Sequence, residues 1–91
     1  MKIIENKELT FETGDKTTVA NLIHEAVNGA GNGLNIDEIA ERIGIINKCK
    51  ECDGILELED AQYNLVMNCV SQTKWRIVDN ALVEFRNILK S

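Results

Sequence analysis

Apolar residues recur at intervals of three, four and seven along the last part of the chain. The polar residues between them make this the pattern of an amphipathic helix, whose apolar side must pack on the rest of the molecule. Trp75 comes just before this helix, and its large side chain is predicted to fill the corner between two packed elements. The apolar side of the predicted helix consists of Ile77, Val78, Ala81, Leu82, Phe85, Ile88 and Leu89.

Two further elements are predicted just before Trp75. Residues 55–59 alternate between apolar and acidic side chains, which predicts a strand with one buried face. Residues 61–73 have helical spacing, and Asp60 is placed to cap the beginning of this helix. Its inward side is predicted to contain Leu65, Val66, Cys69, Val70 and Thr73.

The first part of the chain predicts two short extended segments and a helix. Residues 3–4 and 9–13 form a hairpin in one interpretation, and in the other only residues 9–13 form a true strand. Residues 16–28 have helical spacing, with Asp15 or Thr17 as the capping residue. The apolar side of this helix contains Val19, Leu22, Ile23, Ala26 and Val27.

A second helix is predicted after a turn rich in glycine and asparagine at residues 28–33. The turn follows a helix and no Gly-Lys-Ser/Thr comes after it, so it does not favour a phosphate-binding loop. Asn35 and Glu38 have the spacing of a capping box. Gly44 weakens the helix by roughly 1 kcal/mol relative to alanine, which indicates close approach by another element. The buried side is predicted to contain Ile36, Ile39, Ala40, Ile43 and Ile46, with Ile45 outside it.

Together these elements predict one α+β domain over residues 1–91, mostly helical, with about four helices and a small two- or three-stranded sheet. Each half runs in the order strand, cap, helix, turn, helix. A duplicated β-α-α unit and convergent packing rules both explain that order. With a duplication, the strands at residues 9–13 and 55–59 would pair with each other.

Charge narrows the range of functions. Fifteen acidic against ten basic side chains give a net charge of −5, which disfavours direct binding to DNA or RNA. An acidic domain can be attracted to a basic protein surface, or the charge can simply keep it soluble. No apolar run approaches the roughly 20 residues of a membrane span, and the amino end lacks the apolar region of a secretion signal. We therefore expect a cytoplasmic protein with no membrane contact.

Three cysteines and one histidine could in principle hold a metal. Cys49 and Cys52 form a CxxC pair, and Cys69 and His24 would complete the four ligands of a structural zinc site. Cys69 lies on an apolar helix face, however, and His24 stands alone in the middle of a helix. We therefore expect no metal and no cofactor, and the odd cysteine count agrees with a reducing compartment.

No arrangement of residues favours catalysis. His24 has no serine partner in a triad pattern. The carboxylates of Glu57, Glu59 and Asp60 could act as acid and base, but a strand's solvent face and a helix cap account for all three. We predict that the protein is not an enzyme.

The remaining candidate is a surface for a protein partner or for self-association. Tyr63 and Met67 lie beside the main apolar face of the third helix, and Ile45 lies outside that of the second. We predict these three and the acidic Glu57 and Glu59 as partner-binding residues, while the other interpretation assigns the apolar three to the monomer core. The favoured function is a non-catalytic protein-interaction module. The alternatives are an acidic mimic of nucleic acid that inhibits a host nucleic-acid enzyme or defence complex, and a small zinc-binding domain.

Motifs in the second half of the chain resemble those of a known group of proteins. They are the run Leu56-Glu57-Leu58-Glu59-Asp60-Ala61-Gln62-Tyr63, then Trp75, then Ile77-Val78-Asp79 and Val83-Glu84-Phe85. The pattern is similar to one in small uncharacterised proteins encoded by tailed bacteriophages and prophages. Because the motifs consist of core and capping residues, the resemblance implies a context and no site residues. The context is a short phage accessory protein in a bacterial cytoplasm.

Overall fold

The computed structural model describes residues 1–29 and 33–91. Within these residues four helices and two two-stranded antiparallel sheets form an α+β fold, which confirms the predicted fold class. None of the described helices is long and apolar enough to cross a membrane. The elements in chain order are β1 (Lys2–Glu5), β2 (Glu8–Thr10), β3 (Lys16–Thr18), α1 (Val19–Asn28), α2 (Ile36–Glu51), β4 (Ile55–Leu58), α3 (Asp60–Gln72) and α4 (Asn80–Lys90).

The first sheet joins the amino-terminal strand to the middle of the chain. β1 pairs antiparallel with β4, and Ile4 lies opposite Leu56 in the register. Ile4, Leu56 and Leu58 are buried, while Ile3 and Glu57 are exposed, as expected for strands with one covered face. The pairing of residues 9–13 with 55–59 that a duplicated unit would require is therefore absent from the described residues, because β4 pairs with β1 and β2 pairs with β3.

The second sheet is a short hairpin of β2 and β3, in which Leu9 lies opposite Thr17. Both sequence interpretations of this region are wrong. Residues 3–4 do lie in a strand, β1, but it pairs with β4. β2 ends at Thr10 and pairs with residues 16–18, which were predicted to begin a helix. The chain turns between them: the Phe11 N–H donates to the Asp15 carbonyl at 2.8 Å, and Gly14 has a φ of +93° that favours glycine.

The first helix begins three residues later than its spacing predicted. Lys16–Thr18 is the strand β3, and the Thr18 hydroxyl accepts a hydrogen bond from the Asn21 N–H at 3.2 Å. Thr18 is thus the N-cap, and neither Asp15 nor Thr17 has that role. The predicted apolar side of α1 is buried as expected: Val19, Leu22, Ile23, Ala26 and Val27.

The last helix also begins later than predicted, because Asp79 is its N-cap. The two carboxylate oxygens of Asp79 accept hydrogen bonds from the N–H groups of Ala81 and Glu12, both at 2.9 Å. Ile77 and Val78 therefore precede the helix and are exposed, which corrects their predicted place on its buried side. Similarly, α3 has Glu59 rather than Asp60 as its N-cap.

The core lies around α1, which contacts α2 and α3, while α4 packs against β1 and β2. Trp75 is partly buried against this core, with its ring edge-on to Phe85 at a centroid distance of 6.1 Å. The predicted turn at residues 28–33 includes residues 30–32, which lie outside the described residues. The largest fully buried side chains are Phe85, Ile4, Leu9, Ile23, Ile45, Leu56, Leu58, Leu89, Val19, Val27 and Val66.

Candidate functional site

The second helix, α2, packs on the core with a different face from the one that its sequence predicted. Ile45 is 0% exposed and Cys49 is also buried. Ile36, Ile39 and Ile43 are instead 79%, 38% and 50% exposed. The predicted buried side of α2 is therefore wrong except for Ile46, which is partly buried against the core. Ile45 is a core residue that cannot contact a partner in this conformation.

Contacts with distant parts of the chain explain this orientation. α2 packs against α1 and β4, and Arg42 lies between α2 and the end of α1. The Arg42 guanidinium donates hydrogen bonds to the carbonyls of Val27 at 3.0 Å and Gly29 at 2.8 Å. A cation at the carboxyl end of a helix satisfies free carbonyls and interacts favourably with the helix dipole. This interaction helps to hold the face with Ile45 toward the core.

The exposed first turns of α2 are stabilised by their own capping box. The Asn35 side chain accepts from the Glu38 N–H at 2.9 Å, and the Glu38 carboxylate accepts from the Asn35 N–H at 3.3 Å. This confirms the predicted cap. Residues 36–41 are all exposed, so packing contributes little to this part of the helix. The result is a preformed apolar surface, the isoleucine ridge, which consists of Ile36, Ile39, Ala40 and Ile43.

A groove of about 180 Å³ runs beside the isoleucine ridge, between α2 and the end of α1. Apolar side chains form most of its lining: Val27, Leu34, Ile39, Ile43 and Ile46. The groove extends the apolar surface of the ridge sideways. An exposed helix face that continues into an apolar groove is typical of a site where another helix docks.

A second groove, of about 290 Å³, lies between the last turn of α2 and β4, and we call it the end groove. Met1 and Ile55 provide exposed apolar surface in it, and Lys48 and Glu51 provide charges of both signs. Like the ridge, the end groove leaves apolar surface in water that the core does not use.

A third cavity carries no clear ligand chemistry. Its volume is about 550 Å³, and it lies between α1, α2 and the end of α3. Glu25, Glu38, Arg42 and Lys74 place both signs of charge in its lining. Such a mixture selects neither an anion nor a cation.

Tyr63 and Met67, two of the predicted partner-binding residues, make their contacts within the monomer. Both are partly buried and pack against the core. The Tyr63 hydroxyl donates to the Leu89 carbonyl at 2.6 Å, and the Lys2 ammonium lies 5.2 Å from the centre of its ring. A role for either residue in binding a partner stays a prediction.

The predicted acidic residues Glu57 and Glu59 are both exposed. Glu57 lies on the outward face of β4, opposite Ile3 in the register. The Glu59 N–H donates to the Gln62 side-chain oxygen at 3.0 Å, an oxygen that also accepts from Lys48 at 2.7 Å. Their contribution to partner binding also stays a prediction.

The four metal-ligand candidates do not converge in the structure. Among residues 1–29 and 33–91, no three His, Cys, Asp or Glu side chains form a group that could hold a metal ion. Burial, and then the neighbouring Cys52, raises the pKa of Cys49 to about 11, and burial raises the pKa of Cys69. Because zinc binds the thiolate, these shifts oppose the chemistry that Cys49, Cys52, Cys69 and His24 would need.

Comparison with known proteins provides no relative whose function could guide the interpretation. No protein-family profile matches the chain, and neither a curated protein nor a solved structure matches it. The surface of the molecule is therefore the guide to its function, and the isoleucine ridge is its most distinctive described part.

Proposed function

We propose that this protein is a non-catalytic protein-interaction module that binds its partner through the isoleucine ridge. The exposure of Ile36, Ile39 and Ile43 on a capped helix carries this proposal. These side chains add little to the monomer core, and isoleucine is a weaker helix former than leucine or alanine. Docking of a partner would remove their apolar area from water, and a preformed helix reduces the entropy that binding costs.

The setting that we propose is a bacterial cytoplasm, where the module would act as a phage-type accessory protein. The resemblance of the motifs around Trp75 to phage and prophage proteins supports this setting. A bacterial lysate is therefore the appropriate source of partners.

A pair of surface variants tests the proposal. Ile36→Lys combined with Ile43→Lys places two charges on the ridge, while Val78→Lys changes a fully exposed residue outside it. Binding is measured by quantitative affinity capture from bacterial lysate and by size-exclusion chromatography with light scattering. We expect the original protein and Val78→Lys to bind the same partner or to self-associate, and the double variant to lose that binding. Capture that the double variant leaves unchanged would contradict the proposal, as would no binding by any of the three.

A salt series separates this function from the acidic-inhibitor alternative. Binding through apolar side chains changes little between about 0.05 and 0.5 M salt, whereas carboxylates that imitate phosphates lose affinity steeply. We expect a shallow dependence. Elemental analysis of protein purified without chelator tests the zinc alternative, for which about one zinc per chain would be the supporting result.

A further inference from the structure

The charges along α2 make the helix complementary to itself. Its first turn is acidic, with Asp37 and Glu38, and its last turn carries a net positive charge, with Lys48 and Lys50 against Glu51. If two copies lie antiparallel, the acidic end of each helix faces the basic end of the other. If they lie parallel, like charges meet at both ends, and the helix dipoles also oppose each other.

The middle of α2 borders open space at Gly44, as far as the described part of the chain is concerned. A Cβ atom added to Gly44 would meet no atom within 4 Å. Gly44 is not among the glycines with positive φ, so its backbone conformation does not require glycine. Alanine would favour the helix by about 1 kcal/mol. The close approach that the sequence predicts at Gly44 is therefore not made by residues 1–29 or 33–91 of the same chain.

An antiparallel partner of equal length places an isoleucine level with this open space. The middle of Ile36–Glu51 falls between residues 43 and 44, so full overlap of two α2 helices sets Ile43 of each copy level with Gly44 of the other. A side chain from one helix packs closely where the facing helix has no side chain. Gly44 lies about 100° around the helix from Ile43, the last isoleucine of the ridge, so it leaves space at the edge of this arrangement.

The same register brings the start of the ridge to the end groove. Ile36 of one copy comes level with Glu51 of the other, and Ile39 comes level with Lys48. Glu51 and Lys48 border the end groove, where Met1 and Ile55 are exposed. Antiparallel pairing thus brings the ridge of one copy level with the end groove of the other, and it does so in both copies at once.

We propose that a second copy of this chain docks on the isoleucine ridge, with the two α2 helices antiparallel and the two-fold axis at the level of Ile43 and Gly44. The inference rests on the proposed function and identifies the partner of the same surface. A two-fold interface closes on itself, so the product is a dimer and not a filament.

Sedimentation velocity over a concentration series tests the dimer. Ile43→Glu places a charge at the centre of the interface, and Val83→Glu makes a comparable change at a half-exposed position on α4. We expect the original protein and Val83→Glu to share one dissociation constant, and Ile43→Glu to raise it by at least roughly tenfold. Circular dichroism verifies that each variant remains folded. Equal dimerisation by all three proteins would overturn the inference.

Cysteine cross-linking tests the orientation. The two copies of residue 43 meet near the two-fold axis, whereas the two copies of residue 36 lie roughly 20 Å apart along the helices. Under mild oxidation Ile43→Cys should give a disulfide-linked dimer and Ile36→Cys should not, with the three native cysteines of the original protein as the background. Efficient cross-linking through position 36 would indicate parallel helices and overturn the proposed arrangement.

The two proposals can fail separately. A protein that stays monomeric up to roughly 1 mM overturns the dimer. If ridge-dependent binding to another protein persists under those conditions, the interaction module stands with a different partner. If neither kind of binding depends on the ridge, both proposals are overturned.

Discussion

Asn6 is a residue that joins three parts of the fold. Its side-chain oxygen accepts from the Ala20 N–H at 2.9 Å, and its side-chain nitrogen donates to the Asp53 carbonyl at 2.9 Å. Its backbone N–H donates to the Gly54 carbonyl at 3.0 Å. The sequence shows Asn6 only as a polar residue in a connection, because its partners are distant along the chain.

Replacing Asn6 should destabilise the protein measurably. Asn6→Ala removes both side-chain hydrogen bonds and leaves the Ala20 N–H in the first turn of α1 without its acceptor. We expect the free energy of unfolding to fall by about 1–3 kcal/mol, measured by urea denaturation. Asn87→Ala, an exposed substitution on α4, serves as the control and should change stability by less than about 0.5 kcal/mol. Equal losses in the two variants would contradict the role of Asn6.

The cysteines should differ in their reactivity. Burial raises the pKa of Cys49 to about 11, so only roughly one thiol in a thousand is ionised at pH 8. Cys52 is only partly buried. Alkylation of the native protein at pH 8 should therefore label Cys52 before Cys49 and Cys69, as measured by mass spectrometry of peptides. Raising the pH toward 11 should accelerate labelling of Cys49, and rapid labelling at pH 8 would show that the end of α2 opens.

At the level of elements, the position of α2 could be predicted from the sequence and its orientation could not. The capping box of Asn35 and Glu38 is a local signal, so the start of the helix is correct. The helix has apolar residues on two faces, however, and spacing alone does not say which face is inward. That choice depends on β4 and on the contacts of Arg42 with α1, which are distant in the chain.

Two glycine substitutions should have opposite effects on stability. The Cβ of Gly44→Ala meets no described atom, so we expect the monomer to gain about 1 kcal/mol of stability from higher helix propensity. Gly14→Ala should instead lose about 1 kcal/mol, because its φ of +93° strains any residue with a Cβ. Thermal denaturation of dilute protein, in which monomer dominates, measures both. A loss of stability in Gly44→Ala would show that the monomer itself needs this glycine.

The beginning of α4 shows a signal that a closer inspection of the sequence could have found. Apolar spacing alone extends the helix back to Ile77, but Asp79 is a strong N-cap residue and ends that extension. Its second contact, with the Glu12 N–H, has no local signature. The cap is thus predictable, while the link to the β2–β3 turn is not.

At the scale of the whole molecule, the fold class follows from local patterns and the strand pairing does not. Helical periodicity is enough to identify four helices, and this prediction is confirmed. The pairing of β1 with β4 joins segments that are far apart in the chain, and the local pattern of either strand carries no information about its partner. The sequence therefore did not predict this pairing. The candidate surface could not be predicted for the same reason, because the exposure of the ridge depends on how α2 packs against α1 and β4.

The pairing of β1 with β4 should contribute strongly to the stability of the whole domain. Ile4 is almost fully buried opposite Leu56. Ile4→Ala should lower the free energy of unfolding by about 2–4 kcal/mol through lost burial and the cavity that remains. Ile3→Ala, on the exposed face of the same strand, is the matched control and should cost far less in urea denaturation. Similar costs at both positions would show that β1 does not present Ile4 to the core.

The position of β1 also determines when the protein can complete its sheet during translation. β1 leaves the ribosome before its partner and has to wait for residues 55–58, which are synthesised only after both α1 and α2. Until then the backbone groups of β1 are unpaired and the Ile4 side chain is exposed to water. Chaperones bind segments with such exposed apolar side chains and unpaired strand edges. Synonymous codons that slow elongation just before β4 should therefore lengthen this exposure and lower the yield of folded protein.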